Sequence, residues 1–428
     1  MIEKYYSGVI EQIYNRIGKE TRNIVMANYS NDFSIENLEV IRRYQSNEDN
    51  VFFAYSEFSY NTLVGAYEPF LDIICNMHRR FIGGSFDDFQ KECGVYYLHR
   101  QVLNSYYETG ECFREETVLL NEVAYEQRRM TMAIADMLKK LSEVKPLMIV
   151  INRFQMASKS SIETIKYLID NPCANIGIVL GVNAIVKGTD STVEVWDRIV
   201  ESLEDRSAIY YIGSAGPLKN NVKTTNDDEL YITMNFEQSI QEASNIMEFL
   251  DFEQARRGCR IIEHKLKFED AWIDEKSLRR FYMVYARTSV LLGEMSKAIE
   301  LTNEYKALIP ENDSEHYLSL YYFMKGTCYM YQGKLEKAGN SAKSAYDYAV
   351  LAEDDTLIFK AELLSVMIKM SGWYNIFFCV QDIPVSDEII EKLIKHGYRN
   401  HLAHIYIYAY DNSRDVVKQS FYDESLLK

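Results

Sequence analysis

The chain has 428 residues, and its 63 acidic and 47 basic side chains give a formal net charge of -16. This length allows two or three domains, and a hydrophobic content of 47% is enough to build their cores. An acidic excess of this size argues against direct nucleic-acid binding, because a non-specific grip on phosphates needs lysine and arginine to replace their counterions.

Neither export nor a membrane span is indicated by the sequence. The first 20 residues contain no continuous apolar core, and no apolar run approaches the roughly 20 residues that cross a bilayer. The seven cysteines are irregularly spaced and form no CxxC pair, which predicts neither a disulfide framework nor a zinc site. We therefore expect a cytoplasmic protein without a metal and without membrane contact.

Short apolar runs alternate with helical patterns in the first half of the chain. The runs predicted as strands are Ile24–Ala27, Val51–Tyr55, Leu147–Ile151, Ile176–Leu180 and Ala208–Ile212. The longest helical pattern covers roughly Glu122–Ser142 and repeats its apolar residues at intervals of three or four. Buried strands that alternate with helices predict a parallel sheet covered on both faces, in an α/β domain over residues 1–215.

A polar stretch rich in Gly, Asn and Asp follows and predicts a linker over residues 216–237. Beyond it, helical patterns dominate and the sequence repeats. Gly293 and Gly333 stand in equivalent places, and Ala298 and Ala338 follow each glycine at the same distance. Upstream, Ala255 holds the matching alanine position without a glycine before it, and downstream Gly372 continues the glycine spacing.

These repeats predict stacked helical hairpins. A glycine allows a tight turn after the first helix, and an alanine at the helix crossing allows close approach of two backbones. One hairpin cannot bury its apolar face alone, so several stack into a solenoid. The pattern resembles tetratricopeptide (TPR) repeats with a longer period. It predicts an all-α domain over residues 238–428, with about four helix pairs over residues 238–412.

The segment Val150–Leu168, VINRFQMASKSSIETIKYL, resembles the Walker B region of the STAND branch of AAA-type ATPases. The matches to that pattern are Phe154, Gln155, Ala157, Ser160 and Ser161. At the acidic positions this chain has Asn152, Arg153 and Ser158 instead. Asn183 stands near the family's sensor position. The resemblance implies a P-loop-NTPase-like fold, and members of the family act as nucleotide-gated switches that often carry TPR arrays.

The segment Ala27–Ser34, ANYSNDFS, stands where this family has its phosphate loop. Ala27 and Asp32 replace the glycines, Phe33 replaces the lysine, and only Ser34 matches. A phosphate loop needs backbone N–H groups aimed at the phosphates and a lysine that neutralises them. Losing that lysine and the acids that hold Mg²⁺ removes the main charge-stabilising parts of phosphoryl transfer. We therefore predict a pseudo-ATPase that uses no cofactor.

Arg153 has two interpretations. It could hold a nucleotide phosphate, because a guanidinium is a good phosphate partner. In that alternative the chain is an atypical ATP- or ADP-binding STAND switch, with Arg153 or Arg22 as the phosphate contact. The interpretation that we favour is that Arg153 pairs with an acidic side chain or faces water.

Three histidines invite a metal or catalytic interpretation. His401 and His404 are three apart on one predicted helix, a spacing that suits a metal ion, and Cys75 precedes His78 by three residues. No further cysteine or acidic ligand stands at a supporting spacing, and Cys75 lies in an apolar run. We favour packing roles for these residues.

The predicted helix Glu275–Leu292 carries Arg279, Arg280, Tyr282 and Arg287. Tyrosine and arginine are enriched in protein-binding surfaces, and helical solenoids present a face to partners. We predict that some of these residues line a groove for an acidic or extended peptide.

The sequence thus predicts a non-catalytic regulatory scaffold that binds a protein or peptide through its helical repeats. Homo-oligomer formation is left open. A third hypothesis is a transcription regulator that lacks its output domain, since no helix-turn-helix with a basic recognition helix is evident and the last residues read as part of a further hairpin.

Overall fold

A computed structural model gives the fold of the chain. It describes residues 2–29, 38–46, 50–59, 63–114, 116, 118–183, 186–187, 190–205, 209–212, 223–224, 235–268, 273–312, 314–375 and 387–412. The chain forms two compact units. The first, called here the sheet unit, contains Met1–Arg114 and Asn121–Ala271, and the second, the helical unit, contains Glu115–Leu120 and Trp272–Lys428.

The sheet unit is built around five parallel strands. Their bounds are β1 Ile24–Tyr29, β2 Phe52–Glu57, β3 Leu147–Asn152, β4 Ile176–Asn183 and β6 Ile209–Ile212, in the spatial order β2-β3-β4-β1-β6. The short strands β5 Val186–Lys187 and β7 Lys223–Thr224 form a separate parallel pair. All five predicted strands are confirmed, with small shifts at their ends.

Burial explains why these runs form a parallel sheet. Every residue of β3 and of β4 is buried, so both faces of these strands are covered. Helix α1, Ile2–Arg16, packs on one face through Tyr6, Ile10 and Ile13. Gly177 on β4 allows this close approach, because a Cβ there would lie 2.8 Å from Ile17 Cδ1.

The remaining helices of the sheet unit follow one another in chain order. They are α2 Glu39–Ser46, α3 Phe70–Met77, α4 Phe86–Glu92, α5 Tyr97–Thr109, α6 Val123–Val144, α7 Lys159–Asp170, α8 Asp190–Glu204, α9 Phe236–Glu248 and α10 Phe252–Phe268. Helix α6 confirms the longest predicted helix. Its repeating apolar residues Met130, Ile134, Met137 and Leu141 are all fully buried.

The helical unit contains α11 Glu275–Leu291, α12 Met295–Ala307, α13 Ser314–Tyr331, α14 Leu335–Leu351, α15 Asp355–Asn375, α16 Asp387–His396 and α17 Arg399–Asn412. An α/β half followed by a helical half is therefore confirmed at this coarse level. Among the described residues, none of the helices combines the length and apolar character needed to cross a membrane.

Tight turns with a left-handed residue join successive helices. Gly293 (φ 78°) lies between α11 and α12, and Gly333 (φ 70°) lies between α13 and α14. After each glycine the next N–H donates to a carbonyl five residues back, over 2.8 Å for Glu294 and 2.9 Å for Lys334. This is the hydrogen bond of a Schellman motif. The predicted crossing residues Ala255, Ala298 and Ala338 are each 0% exposed.

One predicted turn is wrong. Gly372 lies inside α15 and makes no turn. A left-handed residue that the repeat did not predict, Glu353 (φ 52°), lies between α14 and α15. Likewise Leu250 (φ 69°) makes the turn between α9 and α10, where the sequence repeat has no glycine. Leu250 is buried, so packing holds its conformation, whereas Glu353 is exposed and its turn is closed by the Asp354 N–H, which donates to the Ala349 carbonyl oxygen over 3.2 Å. Most of the predicted linker over residues 216–237 lies outside the described residues, so the predicted domain boundaries stay a prediction.

Candidate functional site

The carboxyl ends of the parallel strands meet at one edge of the sheet, where open α/β folds bind ligands. Strand β2 ends at Glu57, β3 at Asn152 and β4 at Asn183. The strand register places Glu57 beside Asn152, and Asn183 beside Tyr29 at the end of β1. Two of the predicted nucleotide-site residues, Asn152 and Asn183, therefore lie on this edge, and Arg153 comes directly after β3.

Asn152 is fully buried and supplies no charge. Its Nδ2 donates to Glu57 Oε1 over 3.2 Å. On its other side lies Gly181 of β4, where a Cβ would come within 2.8 Å of Asn152 Oδ1 and would also collide with the Tyr6 hydroxyl. The missing side chain at Gly181 therefore makes the room that the Asn152 amide and the Tyr6 hydroxyl occupy.

Arg153 forms an ion pair with Glu57. Its Nη1 lies 3.2 Å from Glu57 Oε1 and donates to the Phe58 carbonyl oxygen over 3.3 Å. The two side chains are 21% and 16% exposed, so the pair is mostly shielded from water. Arg153 also has a left-handed backbone (φ 54°), which is uncommon for a residue with a side chain. Pairing with an acid is the role that the sequence favours for this residue.

Glu57 is the residue that sequence reasoning missed at this edge. Its carboxylate accepts a hydrogen bond from Asn152 and forms the ion pair with Arg153. The Tyr55 hydroxyl donates a further hydrogen bond to Glu57 Oε2. The position of Glu57 two residues after the predicted strand Val51–Tyr55 was the available signal. Two of its partners, Asn152 and Arg153, lie about 95 residues away at the end of β3, and no local pattern reveals such a contact.

Gln155 connects the turn after β3 to β4. It belongs to a short 3₁₀ turn, Phe154–Met156, and its Oε1 accepts the Asn183 backbone N–H over 3.2 Å. Gln155 and Asn183 are 3% and 5% exposed. Both are therefore held in place by the protein itself.

The predicted phosphate-loop positions are only partly described. Ala27 is a fully buried residue inside β1, which continues to Tyr29, two residues beyond the predicted end of this strand. Asp32, Phe33 and Ser34 lie outside the described residues.

The serines of the segment that resembles a Walker B region lie at the N-terminus of α7. Ser158 caps the helix by accepting the Ser161 N–H over 3.4 Å. Asp251 accepts the Ser160 N–H over 3.0 Å, and burial raises the pKa of this carboxyl. Ser160 and Asp251 also line a cleft of about 430 Å³ within the sheet unit, between α6 and α7. None of Glu57, Asn152, Arg153 and Asn183 lines this cleft.

In the helical unit, the four residues predicted to bind a partner have unequal surroundings. Arg279 is largely engaged, because its Nη1 donates to the Leu308 carbonyl oxygen at the end of α12 over 2.8 Å and its guanidinium lies 4.9 Å from the Tyr317 ring centre. Arg280 is exposed, whereas Tyr282 and Arg287 are half-buried. On α11, Arg280 and Arg287 are two turns apart and share one face.

The histidines predicted to pack have protein partners. His401 is buried on α17, and its Nδ1 lies 2.7 Å from Glu116 Oε1. His78 Nδ1 lies 3.1 Å from the Tyr107 hydroxyl, and Cys75 is buried. Over the part of the chain that the structure describes, no group of three or more His, Cys, Asp or Glu side chains is arranged to hold a metal ion.

Comparison with known proteins finds no family model, no curated protein and no solved structure that matches this chain. A functional assignment therefore rests on the geometry of the strand edge and of the helical unit.

Proposed function

We propose that this chain is a non-catalytic regulatory scaffold, in which a pseudo-ATPase module is joined to a TPR-like helical array that binds a protein or peptide. The ion pair between Arg153 and Glu57 carries the first part of this proposal. It lies at the carboxyl ends of β2 and β3, where the resembled ATPases hold Mg²⁺ with acidic side chains.

The charges at this edge favour the proposal. Phosphoryl transfer relies on a divalent cation held by carboxylates and on a cation at the phosphates. Here Asn152 offers a neutral amide, and the Glu57 carboxylate is already neutralised by a guanidinium 3.2 Å away. A metal ion at Glu57 would be repelled by Arg153.

Titration of ATP and ADP into the full chain, with and without Mg²⁺, tests the first part. Calorimetry should detect no binding heat, and millimolar nucleotide should leave the unfolding temperature unchanged. Micromolar binding would contradict the proposal and favour the nucleotide-switch alternative. Arg153→Ala would then show whether the guanidinium holds a phosphate.

The second part needs a partner-capture experiment with the right arginines. Arg279→Glu is a poor test, since it also breaks the hydrogen bond to Leu308 and would weaken the fold. Arg280→Glu combined with Arg287→Glu changes the shared face of α11 and should reduce recovery of a partner at least about tenfold. Lys343→Glu, an exposed charge reversal on α14, is the matched control. Equal recovery with all three proteins would exclude this face as the binding surface.

A further inference from the structure

Residues 116–120 are a short segment from the first third of the sequence that belongs to the helical unit. The nearby residues Arg114 and Asn121, before and after it, belong to the sheet unit. Glu116, Val118 and Leu119 are 0%, 7% and 6% exposed. None of them lies in a helix or strand, and a 3₁₀ turn begins only at Leu120. These three buried residues without regular structure thus belong to a unit whose other described residues are mostly helical.

The carboxylate of Glu116 is recognised by one residue of α17. Its Oε1 accepts the His401 backbone N–H over 2.8 Å and also lies 2.7 Å from His401 Nδ1. Because a carboxylate can only accept, Nδ1 carries the proton of this hydrogen bond. A buried carboxylate is tolerated only when such partners compensate its lost hydration. His401 therefore provides a specific requirement for an acidic side chain at this position.

The other end of the segment is held by a different helix. The Leu120 backbone N–H donates to the hydroxyl of Tyr331, the last residue of α13, over 3.3 Å. Tyr331 packs against an apolar cluster that includes Met330 and Ala338. Two helices far apart in sequence thus hold the two ends of five residues, and the buried Val118 and Leu119 lie between those ends.

This arrangement has the elements of peptide recognition. Main-chain and carboxylate hydrogen bonds fix the position of the peptide, and buried apolar side chains provide affinity. We propose that the helical unit carries a recognition site for a short peptide of the pattern Glu-x-Val-Leu-x, and that residues 116–120 of this chain occupy it. The inference rests on the proposed function, because it names the partner of the helical array as a protein with a similar acidic and apolar segment.

Occupation by the chain's own segment makes the site self-limiting. A tethered segment competes at an effective concentration of about 1 mM. A partner peptide with an intrinsic dissociation constant of about 10 μM would then bind roughly 100-fold more weakly while the segment stays in place. Release of residues 116–120 would be the step that opens the site.

The test uses the full chain and a labelled peptide, REETVLLNEV, which copies residues 114–123. Substitution of Glu116, Val118 and Leu119 by serine should empty the site. The emptied protein should bind the peptide at least about tenfold more tightly than the wild type, as measured by fluorescence anisotropy. Adding His401→Ala should weaken binding about tenfold or more, and so should glutamine in place of the recognised glutamate in the peptide.

The proposal is overturned if the emptied protein keeps the wild-type circular dichroism and unfolding temperature but binds the peptide no more tightly. Equal binding of the glutamine peptide would also overturn it. If the triple variant does not fold, amide hydrogen exchange in Glu116→Ala replaces it. The His401 amide should exchange faster there, and excess peptide should restore its protection; unchanged exchange contradicts the proposal. These assays contain no nucleotide, so nucleotide binding would contradict the proposed function and leave this result intact.

Discussion

Glu242 on α9 lies among other carboxylates of the sheet unit. A Cβ at Gly65 would lie 2.9 Å from Glu242 Oε1 and 3.4 Å from Glu68 Oε2, so both carboxylates face the same backbone position. Burial, with the negative charges of Glu68 and Asp72, raises the pKa of Glu242 to about 7. The folded protein thus binds a proton at Glu242 more tightly than the unfolded chain does.

The sign and size of the effect on stability depend on this pKa. The ordinary value is 4.5, so stability is fully present below that pH and falls as the pH rises toward about 7. The whole shift corresponds to about 3 kcal/mol in the free energy of unfolding. Glu242 is only half-buried, and solvent screening reduces the expected loss to about 1–2 kcal/mol.

Glu242→Gln removes the charge and keeps the shape. We expect its unfolding temperature at pH 8 to exceed that of the wild type by about 2–6 °C, with only a small part of this gain at pH 5. Glu237→Gln, an exposed substitution on the same helix, should change neither value. Calorimetric unfolding at both pH values is the measurement. No gain at pH 8 would refute the electrostatic reasoning, and an equal gain at both pH values would point to packing instead.

Three further perturbations each act on a single structural feature. Arg153→Met should lower the free energy of unfolding by about 1–2 kcal/mol. A double-mutant cycle with Glu57→Gln, measured by urea unfolding, should give a coupling energy between the two residues above about 0.5 kcal/mol. Purely additive effects would mean that the ion pair contributes nothing. Glu353→Gly should stabilise the protein by about 1 kcal/mol, because glycine adopts the left-handed backbone conformation of this exposed position without strain. Gly333→Ala should destabilise the protein by a similar amount. Changes of the same sign in the two unfolding temperatures would contradict this account of the turns. Ala338→Leu should cost about 1–3 kcal/mol because the fully buried alanine leaves no room at a helix crossing, and a wild-type denaturation midpoint would show that α13 and α14 separate easily.

The strands could be predicted because each is a local apolar run, and the sheet buries β3 and β4 completely. Leu147–Ile151 and Ile176–Leu180 are recognisable from composition alone, and β3 and β4 contain them. The helical hairpins could also be predicted from a local signal. Gly293 and Gly333 mark turns whose left-handed conformation favours glycine.

The remaining features depend on contacts between distant residues. Glu353 and Leu250 hold a left-handed conformation that their residue type does not predict. The ion pair of Glu57 joins the ends of two strands, and the partner of His401 is Glu116, 285 residues away. Periodicity and motif spacing carry no information about such pairs, because they describe neighbours along one helix or strand.

The surroundings of Arg153 also decide how a nucleotide could bind at this edge. To reach a phosphate, the guanidinium would have to leave both Glu57 and the Phe58 carbonyl oxygen. The released Glu57 carboxylate would then lie beside a polyanion, a repulsion that the mostly buried position strengthens. Removing that charge should therefore help nucleotide binding if Arg153 is the phosphate contact. If Arg153 is the phosphate contact, Glu57→Gln should bind ATP more tightly than the wild type does. Failure of this variant to bind ATP would therefore weigh more heavily against the nucleotide-switch alternative than failure of the wild type.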